Sequence, residues 1–72
     1  MNREEENSLK NRVKEERELQ GMSQEQLSNK SEVSRTIISE LENGKTDVIT
    51  NITLEKIAGA LGKKVTDIFF TD

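Results

Sequence analysis

Residues 23–45 read SQEQLSNKSEVSRTIISELENGK, and the reading of this stretch decides the fold. Ser23-Gln24-Glu25-Gln26 fits a capping box, with Gln26 three residues past the cap, so a helix opens at Ser23. Leu27 is the main apolar residue of that short helix. Lys30 to Val33 forms a turn, and Ser34 is a good cap for the next helix. Val33, Ile38 and Leu41 can then face a core, while Asn43-Gly44 ends the second helix. Two short helices joined by a tight turn can seat the second in the major groove of DNA.

Working outward, residues 1–7 form a charged lead-in and residues 8–72 the domain proper. A first helix is expected from about Ser8 to Gln20, with Leu9 and Val13 turned inward and Leu19 as a further candidate. Gly21 stops it, because glycine tolerates the left-handed conformation that follows a helix. Lys45 to Ile49 is a loop. Thr50 caps a fourth helix over Asn51 to Leu61, whose Leu54, Ile57, Ala58 and Leu61 recur at i, i+3, i+4 and i+7. Gly62 ends that helix. Val65 to Phe70 is then a last short helix capped by Thr66. A strand over Val65–Thr71 is the alternative, because these residues are rich in β-branched and aromatic types. The architecture expected is all-α, a compact domain of five helices.

Composition narrows the chemistry. The 72 residues allow one domain with one small core, and such a chain gains from oligomerisation. Apolar residues make up 31% and charged residues 35%, yet the helical spacing of the apolar ones argues against disorder. The chain has no cysteine and no histidine. Disulfides, thiol nucleophiles, the usual zinc sets and the commonest general base are therefore absent, so no catalytic residue, metal or cofactor is expected. No apolar run reaches membrane-spanning length, and MNREEENS lacks a signal peptide's apolar segment, so the expected location is the cytoplasm.

The formal charge of −3 runs against the basic excess usual in nucleic-acid binders. Part of it is local, because Arg3 stands against Glu4, Glu5 and Glu6 in the first eight residues. The other 64 residues carry 10 basic and 11 acidic side chains and are nearly neutral. Any DNA contact must come from the placement of a few cations.

Arg17, Gly21-Met22-Ser23-Gln24, Leu27, Val33-Ser34-Arg35, Ile38, Leu41-Glu42-Asn43-Gly44-Lys45 and Lys56-Ile57-Ala58-Gly59-Ala60-Leu61-Gly62 together resemble the Cro/CI-type (XRE-like) helix-turn-helix family. That family of prokaryotic and phage regulators has a lambda-repressor-like DNA-binding domain. The resemblance spans roughly residues 9 to 70. It implies a sequence-specific transcriptional regulator, a repressor or autoregulator, that binds a near-palindromic operator in double-stranded DNA as a homodimer.

Position by position, the resemblance implies base contacts from Ser34, Arg35, Thr36, Ile37 and Glu40. Arg35 is the strongest base reader, because a guanidinium can bond guanine O6 and N7 together. It implies phosphate contacts from Gln24, Asn43, Lys45 and Thr46, and an ion pair between Arg17 and Glu42. Ile68, Phe69 and Phe70 form an apolar surplus, and adjacent phenylalanines cannot easily share one small core, so these three are expected at a dimer interface. The alternative is that the first and fourth helices bury them all. The second functional reading is an antitoxin-type module that neutralises a toxin and autoregulates its operon.

Two positions depart from the family pattern. Glu32 stands where the inter-helix turn often has glycine, and a left-handed non-glycine residue costs about 1 kcal/mol. The turn is thus either strained or reshaped. Asp47-Val48-Ile49-Thr50 replaces the segment where a proline often precedes the fourth helix, which unsettles the phosphate contacts there.

Overall fold

The computed structural model describes residues 9–45 and 49–71. In chain order these form β1 (Leu9–Asn11), α1 (Val13–Leu19), α2 (Gln24–Ser31), α3 (Arg35–Glu42), α4 (Asn51–Ala60), α5 (Val65–Ile68) and β2 (Phe69–Thr71). Five helices surround a core in which Val13, Leu27, Ile38, Leu41, Ile57 and Ile68 are fully enclosed. Each such side chain contributes about 1.5–3 kcal/mol relative to exposure.

The helix starts follow from local hydrogen bonding. Ser23 Oγ accepts from the Gln26 N–H while Gln26 Oε1 accepts from the Ser23 N–H, so both halves of the capping box are made. Ser34 Oγ accepts from the Ile37 N–H, and Thr50 Oγ1 from the Thr53 N–H. Gly44, at φ +89°, closes α3: the Lys45 N–H returns to the Glu40 carbonyl and the Gly44 N–H to the Leu41 carbonyl. This end turns the chain so that Lys45 follows directly on α3.

The two ends of the described chain differ from the expected helices. Residues 9–11 are a strand rather than the first turn of α1, pairing antiparallel with residues 69–71 in the register Leu9↔Thr71, Lys10↔Phe70, Asn11↔Phe69. The Asn11 side-chain oxygen accepts from the Val13 N–H at 3.1 Å, which starts the helix at Val13 instead of Ser8. Leu19 is 73% exposed, since it lies on the outer side of α1 from Val13.

At the far end the helical and strand readings of Val65–Thr71 each hold for one half. The helix stops at Ile68, and Phe69 turns extended to enter β2. Its N-cap is Lys64 rather than Thr66, with Asp67 Oδ2 accepting from the Lys64 N–H at 3.1 Å. Alternation along an extended segment separates the two phenylalanines: Phe69 is buried, and Phe70 is half-buried on the other face.

Candidate nucleic-acid interface

The turn between α2 and α3 keeps its tight form with glutamate in it. Glu32 sits at φ 63°, ψ 27°, the left-handed conformation, and is the sole non-glycine residue with positive φ among the described residues. Two serines hold it there. Ser28 Oγ donates to the Val33 carbonyl at 2.6 Å, and Ser31 Oγ accepts from the Val33 N–H at 3.2 Å. Val33 is thereby drawn into the core, and burial of Val33 and Leu27 on either side of the turn offsets the backbone strain.

Helix α3 is divided cleanly. Ile38 and Leu41 are buried, whereas Ser34, Arg35, Thr36, Ile37 and Glu40 are exposed. The outward set therefore forms one continuous surface along the first two turns. Gln24, at the start of α2, is half-buried beside it, and Gln24, Arg35, Thr36, Ser39 and Glu40 line a shared open concavity. Asn43 and Lys45 are exposed just past the end of α3. Thr46 lies outside the described residues.

A polar network runs behind this surface. Arg17 Nε and Nη2 donate to Glu42 Oε2 and Oε1 at 2.7 and 3.0 Å, and Arg17 Nη1 donates to the Met22 carbonyl at 2.7 Å. The Arg17 and Glu42 side chains are only 10% and 4% exposed. Burial pushes the Glu42 carboxyl pKa up, but hydrogen bonds from Arg17 and Gln24, with the positive charges of Arg17 and Lys14, more than reverse this and hold it below the ordinary glutamate range. Gln24 Nε2 also donates to Glu42 Oε1 at 3.0 Å, and Gln24 Oε1 accepts from Arg35 Nε at 3.4 Å.

Of the three residues expected at a dimer interface, Ile68 and Phe69 have no surface to offer: they are 0% and 5% exposed inside the chain's own core. The physical reason is the helix-to-strand change at Phe69, which turns that ring inward. Only Phe70 retains an outer face, with the Arg12 guanidinium 5.2 Å from the centre of its ring.

Asn11 is the important residue that sequence reasoning passed over. Its signal was weak, because Asn11 stands one residue before the N-cap, Arg12, and its bond to the Val13 N–H is not the usual capping pattern. Gln20, whose side-chain nitrogen donates to the Leu61 carbonyl at 2.8 Å, carried no comparable signal, because its partner lies 41 residues away.

Among the described residues no group of acidic side chains could hold a metal ion, and no helix is long and apolar enough to cross a membrane. No curated protein matches the chain. A family model described as "Helix-turn-helix" matches residues 13–68, from the first residue of α1 to the last of α5. That span holds the capped α2, the tight turn and the divided α3 in sequence. The chain belongs to the Cro/CI-type (XRE-like) helix-turn-helix family and is a DNA-binding transcriptional regulator.

Proposed function

We propose that this regulator binds a near-palindromic operator as a homodimer and acts as a repressor or autoregulator. The observation that carries this reading is the division of α3, whose Ser34, Arg35, Thr36, Ile37 and Glu40 are exposed while Ile38 and Leu41 anchor it. Arg35 reads guanine, and Thr36 and Ser34 reach base edges or adjacent phosphates. Ile37, 39% exposed, meets a thymine methyl, and Glu40 accepts from a cytosine amino group. Gln24, Asn43 and Lys45 flank this face and anchor it on phosphates.

One such face carries few cations, so a single copy binds weakly. Two copies joined through the Phe70 side of the β1–β2 ribbon bind two half-sites together, with the gain of an intramolecular second contact. A symmetric pair reads symmetric DNA, which is the reason for the near-palindrome.

Selection from a randomised duplex library, followed by fluorescence titration across a salt series, tests the proposal. An inverted repeat with half-sites about one helical turn apart is the expected product. A selected pool with no repeat, or binding to the selected site no tighter than to random DNA, overturns it. Autoregulation is tested separately with the DNA upstream of the gene, which must bind more tightly than random duplex.

A further inference from the structure

The Arg17–Glu42 pair has the arrangement of a structural tie between α1 and α3, but its hydrogen bonds continue past it. Glu42 Oε1 accepts from Arg17 Nη2 and from Gln24 Nε2, each at 3.0 Å. The opposite end of the Gln24 carboxamide faces Arg35, accepting from its Nε at 3.4 Å. The amide has one favourable orientation here. Its nitrogen must face the carboxylate and its oxygen the guanidinium, because rotation by 180° would set two acceptors together at one end and two donors at the other. The Glu42 side chain, 4% exposed and gripped through both oxygens by Arg17, has no freedom to follow such a rotation.

We infer that Glu42, through Gln24, sets where the Arg35 guanidinium stands, so that the base preference at the Arg35 position depends on a residue that touches no base. Resting on the reading of α3 as the base-contacting helix, this makes Glu42 and Gln24 positioning residues for recognition. The chain of contacts joins the last residue of α3 to its first by way of α2, and bypasses the helix backbone between them. Without it, Arg35 is an exposed arginine with many rotamers, and ordering it on a base would carry the full side-chain entropy cost.

The test is a base-substitution profile. Each base pair of the selected half-site is replaced in turn, and the ratio of affinities for the original and substituted sites is measured. The proteins compared are the wild type, Arg35→Ala, Gln24→Leu, Glu42→Gln and the double variant Gln24→Leu/Arg35→Ala. Arg35→Ala should abolish discrimination at one base pair, a loss of about tenfold or more. Gln24→Leu and Glu42→Gln should each lower discrimination at that same pair by roughly threefold or more and leave the other pairs alone. The double variant should match Arg35→Ala there.

Working with ratios removes any general loss of affinity, including one from a Gln24 phosphate contact. Should Glu42→Gln fail to fold, Glu42→Asp, whose shorter side chain draws the carboxylate away from Gln24, takes its place. Unchanged discrimination in the Glu42 variant that folds overturns the role of Glu42. Unchanged discrimination in Gln24→Leu, or a uniform flattening over all pairs, overturns the positioning role while the Arg35 contact stands. If Arg35→Ala itself alters no pair, the base-contact assignment of Arg35 fails, and the positioning role with it.

Discussion

Asn11 is bonded to Leu41 across the domain: its side-chain nitrogen donates to the Leu41 carbonyl at 2.9 Å while its side-chain oxygen accepts from the Val13 N–H. One carboxamide thus starts α1 and satisfies a carbonyl in the last turn of α3. Asn11→Ala removes both bonds and should destabilise the domain by about 1–2 kcal/mol, as losing two partly buried hydrogen bonds does. Urea denaturation measures it, and an unchanged midpoint with an unchanged slope would show that the link contributes nothing.

Removing one member of the Arg17–Glu42 pair leaves a buried charge without its partner. Arg17→Met should therefore cost about 3 kcal/mol or more, a large share of the stability of so small a domain. The pH dependence follows from the lowered Glu42 pKa. A carboxyl whose folded pKa is depressed contributes stability above its unfolded value, about 4.3, which is lost as pH falls through the folded value. Wild type should thus weaken on the acid side of that range, and Glu42→Gln, less stable at neutral pH, should have a flatter acid limb. Equal slopes in the two proteins would contradict the assignment.

Glu32 offers a gain of stability. Its left-handed backbone is open to glycine without strain, and its side chain is exposed. Glu32→Gly should stabilise by about 1 kcal/mol. At this chain length that raises the melting temperature by roughly 4–8 °C. A lower melting temperature would mean that the side chain supports the turn in some way beyond its backbone geometry.

On DNA, Arg35 and Lys45 should behave differently. Arg35→Ala should lose about 1–3 kcal/mol on the selected site and relax one base position. Lys45→Ala should weaken binding to all sequences alike and reduce the salt slope by about one. Titrations on specific and random duplexes at several salt concentrations separate the two, and a sequence-selective effect of Lys45→Ala would reassign that residue.

For the dimer, the informative substitution is at Phe70. Phe70→Ala trims a half-buried ring and should weaken self-association while the monomer stays folded, as read by sedimentation alongside a thermal melt. Phe69→Ala instead empties part of the core and should cost about 3 kcal/mol or more. A dimer constant untouched by Phe70→Ala would take that residue out of the interface.

Much of the fold was legible locally. The Ser23–Gln26 capping box, the caps at Ser34 and Thr50 and the glycine stops are each decided by residues within one helical turn, so their residue types suffice to place them. The strands were not legible. Leu9–Asn11 forms a strand only because Phe69–Thr71 lies beside it, some 60 residues later in the chain. The same pairing explains why Phe69 and Phe70 part company. Adjacent aromatics look like a shared apolar surface in a helix, but a strand sends them to opposite faces.

The proposed recognition surface divides along the same line. Apolar periodicity and caps determined that α2 and α3 exist, where they begin and end, and that Ile38 and Leu41 face inward, because these are matters of local propensity and of a 3.6-residue repeat. The outward set was implied by the family resemblance. Only the tertiary structure decided that Glu32 would hold a left-handed turn, because burial of Val33 and Leu27 and the bonds of Ser28 and Ser31 must together outweigh its strain. Only the tertiary structure brought Glu42, Gln24 and Arg35 into one line. That line needs α1, α2 and both ends of α3 packed on a common core, and no local pattern of residues encodes such a meeting.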